Sequence, residues 1–373
     1  MRIALFSPTI DFRNGYGNIT FELCSQYHTM GIDFTLFIPM VESELCEKLQ
    51  VPFAVSPVLQ KNIFRLFQRE GWKYFTHVNV SAFDIVHSLF AFPFCIPACR
   101  SARKYGKRFI MGAQGTYGVL PLTQYPERWF LKKCYRAAQS VTVPSAYTKE
   151  QIFTHAKEEY PITIIHNGVH FDRFQKEVDT SSIRERYADK KILLTVGGLK
   201  ERKGQDLVLR ALPKVLERHP DTVYVLVGDG NWKTGLKELA ETLGIRDAVD
   251  FAGSKTGDEL VAYFRACDVY VHTPKVVRLN FEGFGIVYLE ASACRKPIVA
   301  TDAGGIRDAV MDNETGLIVS DGDVEGIASS ILTLLDDTAL AGRLGDTGWE
   351  YAKEHSWTAI AHKYASLYGG GHE

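Results

Sequence analysis

An α/β fold built from two doubly wound parallel-sheet domains is predicted by three observations. Short β-branched or aromatic apolar runs alternate with longer helical patterns along the chain. About twelve such runs occur, too many for one sheet of ordinary size. A polar stretch without strand character, "FDRFQKEVDTSSIRERYADK" at 171–190, separates them into two sets of six.

The first set comprises strands over 2–8, 33–39, 84–90, 108–114, 140–145 and 162–167. The second comprises 191–197, 222–228, 249–253, 269–274, 297–302 and 316–319. Residues 323–368 read as helices only, ending in "SWTAIAHKYASLY" with apolar residues at helical spacing. The expected domains are therefore 1–170, a linker at 171–190, a second domain at 191–350, and a C-terminal helix at 351–373 crossing back to the first domain.

Composition excludes several classes. With 373 residues and 46% apolar content the chain can bury two cores and is not a disordered segment. No run approaches the length of a transmembrane helix, and "MRIALFSPTIDF" is too short and strand-like for a secretory signal, so a cytoplasmic protein is expected. Cys24, Cys46, Cys95, Cys99, Cys134, Cys267 and Cys294 show neither paired metal-ligand spacing nor a disulfide rhythm, and read as small buried hydrophobes. The net charge of −1 conceals an asymmetry: residues 1–175 carry 19 Lys and Arg against 13 Asp and Glu, and the remainder 24 against 31. A basic half can attract an anionic partner or membrane surface, or can serve solubility alone. Nucleic-acid binding lacks a recognised module and is not expected.

Ligands of open parallel sheets bind beyond the carboxyl ends of the strands, so the loops there hold the candidates. After the first strand, "DFRNGYGN" places Gly15 and Gly17 ahead of a helix whose first amides could receive a phosphate. After the first strand of the second half, "GGLKERKGQDLVLRAL" gathers Lys200, Arg202 and Lys203 with Gly197, Gly198 and Gly204 before another helix. Cations and amides together suit a diphosphate. In "NFEGFGIVYLEASACRKPIV", Gly283 and Gly285 open a helix with Glu282 at its mouth and Glu290 about two turns further along. Leu289, Ala291 and Ala293 around Glu290 suggest close packing, where an unpaired carboxylate is costly unless a polar ligand meets it. His87, His166, His170 and His272 stand near strand ends without a second ligand at zinc spacing, and His87 is the best placed to touch a ligand.

These residues resemble the retaining glycosyltransferases of family 4, whose GT-B fold consists of two Rossmann-like doubly wound domains facing across a cleft. The resemblance rests on "VGGLKERKGQDLVLRAL", "VLVGDGNWKTGLKELAETLGI", "VDFAGSKTGDELVAYFRACDVYVHTP", "EGFGIVYLEASACRKPIVATDAGGIRDAV" and "TGLIV", in order over 190–320, and more loosely on "DIVHSL", "VPSAYTKEQI" and "IIHNGVHFDRF". It implies transfer of a sugar from a nucleotide diphosphate sugar to a glycan, lipid-linked or small-molecule acceptor bound by the first domain, with retained anomeric configuration, no metal and no cofactor. By the same resemblance Glu290 holds the ribose and Glu282 lies by the donor sugar. Lys203 with Arg202 binds the diphosphate and stabilises the leaving charge. Donor contacts fall to the amides of Phe284, Gly285 and Ile286, and to Gly198, Gly228, Gln114 and His87. Gly15 and Gly17 would approach the diphosphate from the opposite domain, so that catalysis requires closure.

The chain departs from the family pattern at Gly198, where arginine is usual, at Gln114, where a histidine is frequent, and at Arg295, where glycine is common. Lys200 or Arg202 could supply the missing cation. The alternative reading is a GT-B sugar-nucleotide-binding protein or partner subunit without transfer activity. A dinucleotide dehydrogenase is disfavoured because the first loop lacks G-x-G-x-x-G. The stretch "VLQKNIFRLFQREGWKYF" at 58–75 interleaves Lys61, Arg65, Arg69 and Lys73 with aromatics, either as an amphipathic helix on an anionic bilayer or as a lid packed on its domain. "PERWFLKKCYR" at 126–136 has the same two readings.

Overall fold

The structure, a computed structural model, describes residues 1–12, 14–59, 77–188 and 190–369. Most of the basic-aromatic stretch at 58–75 lies outside the described residues. The chain divides into two compact units, one formed by Met1–Asn167 with Trp357–Glu373 and the other by Gly168–Ser356.

The first unit holds seven parallel strands: β1 (Arg2–Phe6), β2 (Asp33–Pro39), β3 (Val55–Leu59), β4 (Ile85–Ser88), β5 (Arg108–Gly112), β6 (Ser140–Val143) and β7 (Ile162–Ile164), in the order β3-β2-β1-β4-β5-β6-β7. Ile3, Ala4, Leu5 and Phe6 of β1 are buried without alternation, as expected of a strand covered by helices on both faces. Strand β3 escaped the sequence reading. Its sequence is VSPVL, and Pro57 has no amide to donate, which confines the strand to the edge position it occupies.

The second unit holds six parallel strands: β8 (Lys191–Val196), β9 (Thr222–Val227), β10 (Val249–Gly253), β11 (Val269–His272), β12 (Ile298–Asp302) and β13 (Leu317–Ser320), in the order β10-β9-β8-β11-β12-β13. The strand order therefore reverses between β8 and β11, and the crevice at that switch point lies beyond their carboxyl ends. The stretch read as a linker forms two short helices, Phe171–Gln175 and Ser181–Arg186, within this unit. Phe174 packs edge-on against Phe264, and the Gln175 amide donates to the Ala293 carbonyl at 2.8 Å.

The last helix, Trp357–Gly369, belongs to the first unit. The Tyr368 hydroxyl lies 2.7 Å from the Tyr27 hydroxyl on the helix Gly15–Thr29 and 2.7 Å from Nδ1 of His87 on β4. Arg108 donates to the Tyr368 carbonyl at 2.8 Å. Three elements far apart in sequence are thereby tied to the chain end.

Candidate functional site

The candidate site of the second unit begins where β8 ends. The loop turns at Glu201–Lys203 and is closed by Gly204 at φ 68. A side chain there is excluded twice: by the left-handed backbone, and because its Cβ would stand 1.7 Å from the Thr273 carbonyl oxygen. The Thr273 hydroxyl donates to the Gly204 carbonyl at 2.8 Å, and the Lys275 amide donates to the Arg202 carbonyl at 2.8 Å. The loop after β8 is thus fastened to the end of β11, its neighbour across the switch point.

Glu282 is fixed by backbone before its side chain is considered. Its carbonyl accepts from the Gly305 amide at 2.8 Å. Its carboxylate accepts from Arg202 Nη1 at 3.0 Å and Lys203 Nζ at 2.5 Å, with side chains 15% exposed for Glu282 and 14% for Lys203. Burial alone would raise the Glu282 carboxyl, but Lys203 and Arg202 outweigh it and hold the group well below the usual carboxylate range. Burial draws the Lys203 ammonium below its ordinary value, with Glu282 opposing. Next to them His272 is fully buried and neither ring nitrogen finds a partner among the described residues. Burial, reinforced by Lys203, pushes its pKa down to about 3, so it is a neutral ring against Tyr288.

The helix Ile286–Ala293 starts at Gly285, whose φ of 91 lies in the left-handed region, and no side chain caps its first amides. That leaves an uncapped helix N-terminus beside Glu282. Phe284 is buried at the same turn. Glu290 lies in the second turn of the helix. No side chain of the described residues satisfies its carboxylate, and burial raises its pKa to about 7, with Arg173 acting the other way.

Of the other expected residues, Gly198 is half-exposed, and a Cβ placed on it would meet only Lys200 Cε at 3.7 Å and the Asp229 carbonyl at 3.8 Å. The Lys200 side chain therefore passes in contact with the position where a side chain at 198 would begin, while Arg202 is engaged with Glu282. Gly228 packs its Cα against the Gly197 carbonyl, a close approach of the ends of β8 and β9.

In the first unit, Gly15 and Gly17 do start a helix, but the Gly17 amide is already taken by the Asn14 side chain at 2.9 Å. Gln114 is 6% exposed and its side-chain nitrogen has no partner among the described residues. It lines a cavity of about 430 Å³ at the carboxyl ends of β1, β2, β4 and β5, together with Asp11, Glu42 and Tyr117. His87, expected at a ligand, is instead fully buried against the last helix through Tyr368, and burial pushes its pKa down to about 3.

The profile for glycosyl transferases group 1 matches residues 179–351, and that for glycosyltransferase family 4 matches 13–173. A GDP-mannose-dependent alpha-(1-6)-phosphatidylinositol monomannoside mannosyltransferase of Mycolicibacterium smegmatis is 33% identical over 282 residues, covering 73% of each chain. The chain belongs to glycosyltransferase family 4. A D-inositol 3-phosphate glycosyltransferase of Corynebacterium jeikeium is 34% identical over 56% of this family 4 chain and 51% of its own. Among solved structures, Anabaena HepE in complex with UDP and glucose superposes over 100% of both chains with a TM-score of 0.80 at 18% identity. Sucrose-phosphate synthase from Thermosynechococcus elongatus gives 0.78 at 20% identity over 99% of this chain and 98% of that one. The fold of this family 4 glycosyltransferase is GT-B, as the sequence led one to expect.

Sequence reasoning missed Lys275. Its ammonium meets both oxygens of Asp206 at 3.0 Å and lies 5.3 Å from the Trp232 ring centre. Attention to the carboxyl end of β11 would have found it, since "HTPKVV" leaves that strand directly. Among the described residues no group of His, Cys, Asp or Glu is arranged to hold a metal ion.

Proposed function

We propose that this glycosyltransferase moves a sugar from a nucleotide diphosphate sugar to an acceptor with retention of configuration, and that GDP-mannose is the first donor to try. The observation that carries the reading is Glu290, a part-buried carboxylate with no side-chain partner among the described residues, in the second turn of the helix that opens at Gly285, just after the Glu282 that Lys203 and Arg202 hold. A vicinal diol can donate two hydrogen bonds to such a carboxylate, which offsets the cost of its burial.

Between the carboxylates, the uncapped amides at 285–286 and the ammonium of Lys203 present positive potential to a diphosphate. When the glycosidic bond breaks, the electron pair stays with the diphosphate, and Lys203 and Arg202 stabilise that charge. Glu282 holds both cations in place and accepts from a donor-sugar hydroxyl. The acceptor hydroxyl then attacks the anomeric carbon on the face the diphosphate leaves, passing its proton to the departing phosphate oxygen. Lys200, beside Gly198, contributes the further cation. The donor preference is supported by the mannosyltransferase of M. smegmatis, named for its dependence on GDP-mannose.

The test is a thermal-shift panel of GDP-, UDP- and ADP-sugars followed by product analysis. A bound donor raises apparent stability by mass action, about 2.7 kcal/mol at a hundredfold excess over Kd. Stabilisation by a donor with neither hydrolysis nor transfer to any acceptor would favour the binding-protein reading. No stabilisation by any nucleotide sugar would overturn both.

A further inference from the structure

Every large hydrophobic side chain that stands exposed among the described residues belongs to the first unit, and none to the second. Five of them, Phe12, Met40, Val41, Tyr125 and Trp129, sit in the connections that leave the carboxyl ends of β1, β2 and β5. Val41 helps to line the 430 Å³ cavity, and Tyr125 and Trp129 stand further along the β5–β6 connection, where the helix Glu127–Ala137 begins. Tyr125 is 90% exposed and Trp129 is 49% exposed, the latter in the first turn of the helix Glu127–Ala137. Scattered surface hydrophobes are ordinary, but two large aromatics exposed together at one helix start mark a contact surface.

The chemistry of the helix Glu127–Ala137 and the turn before it selects the partner. Tyr and Trp are the side chains that favour a bilayer–water boundary, with an apolar ring and a polar tip. The Lys133 ammonium lies 3.4 Å from the Trp129 ring centre, and Arg128 is exposed beside it. The one acidic residue of this helix, Glu127, is buried, so its exposed face carries cations only. Lys132 and Arg136 are occupied by Glu158 at 3.0 and 2.6 Å, which leaves Arg128 and Lys133 to face outward. Aromatic tips flanked by cations complement lipid phosphates over an apolar interior.

We infer that the start of this helix in the first unit docks on the surface of a bilayer containing anionic phospholipid, with Tyr125 and Trp129 entering the headgroup layer and Arg128 and Lys133 facing the phosphates. The inference is independent of the transfer chemistry, since no residue of the second unit takes part. No described helix is long and apolar enough to cross a membrane, so the attachment is peripheral and reversible.

The experiment is co-sedimentation of the full chain with vesicles of phosphatidylcholine alone or mixed with phosphatidylglycerol. Binding to the mixed vesicles, weakened by salt, is expected. Tyr125→Ala with Trp129→Ala should lower the partition coefficient about tenfold, and Arg128→Glu with Lys133→Glu should abolish the preference for anionic lipid. Melting temperature and nucleotide-sugar binding serve as controls for folding and should not move, because all four side chains are on the surface. Failure of the parent chain to sediment, equal binding to both vesicle types, or unchanged binding by either double variant would overturn the inference. A parent chain that ignores vesicles but forms dimers lost in Tyr125→Ala with Trp129→Ala would assign the helix start to a second copy instead.

Discussion

Lys203 Nζ lies 2.5 Å from Glu282 Oε2, a contact made across 79 residues of sequence. It joins the loop after β8 to the loop before the helix Ile286–Ala293, on either side of the point where the strand order reverses. The pair keeps a part-buried ammonium compensated.

Removing either partner should therefore separate stability from chemistry. Glu282→Gln leaves Lys203 and Arg202 without a counter-charge and should cost about 2 kcal/mol of stability in denaturant titration. Its effect should shrink as pH falls, because a carboxyl held below its ordinary value stabilises the fold above the unfolded pKa and loses that contribution on acidification. Lys203→Ala should lower kcat by about two to three orders of magnitude in steady-state assays, the usual effect of deleting one group that stabilises a developing anion. An equal loss of stability in both variants with unchanged kcat would make the pair purely structural.

Glu290 titrates in the opposite sense. Its pKa is raised from 4.5 to about 7, so its protonated form is the one the fold favours. Stability from this group is fully present below pH 4.5 and is lost as pH rises through 7, a span worth about 3 kcal/mol. Glu290→Gln should flatten the melting temperature between pH 5 and 8 and weaken donor binding at pH 8 by about tenfold or more. A parental pH slope in the Gln variant would mean that Glu290 does not carry it.

Lys200 can be distinguished from Arg202 by kinetics. Lys200 is exposed and stands beside Gly198, so Lys200→Ala should raise the donor KM several-fold while leaving the unfolding free energy within about 0.5 kcal/mol of the parent. Arg202→Ala should change both, since it also frees one side of Glu282. If Gly198→Arg restores the donor KM of Lys200→Ala, the two positions serve the same phosphate. A Cβ at 198 meets nothing closer than 3.7 Å.

Tyr368→Phe tests the clamp of the first unit. The ring stays in contact with Tyr27, but His87 Nδ1 and the Tyr27 hydroxyl lose a buried partner. About 2 kcal/mol of destabilisation is expected by denaturant titration, with kcat per folded molecule unchanged.

The sheets were legible because covered parallel strands are short, nearly continuous apolar runs, and all twelve expected strands occur. The strand that was missed, β3, is five residues with a proline in the middle, which carries no periodic signal and exists because Leu36, Phe37 and Ile38 of β2 give it an edge to pair with. At the site, Glu282, Lys203 and the helix start at Gly285 could be read from spacing and resemblance, since each lies in a strand-end loop. His87 could not: its position near a strand end is visible in sequence, but which face of β4 it occupies is decided by a helix 281 residues away. Asn14 was quoted within its loop, yet its capping of Gly17 depends on a local rotamer that composition does not encode.

The clamp at Tyr368 also sets a timetable. Gly168–Ser356 is one uninterrupted stretch of chain and can complete its core while synthesis continues. The first unit, although begun earlier, lacks the helix Trp357–Gly369 until that segment has left the ribosome, and until then Tyr27 and His87 have no hydroxyl to meet. The half of the enzyme that is made first is thus the half that is finished last.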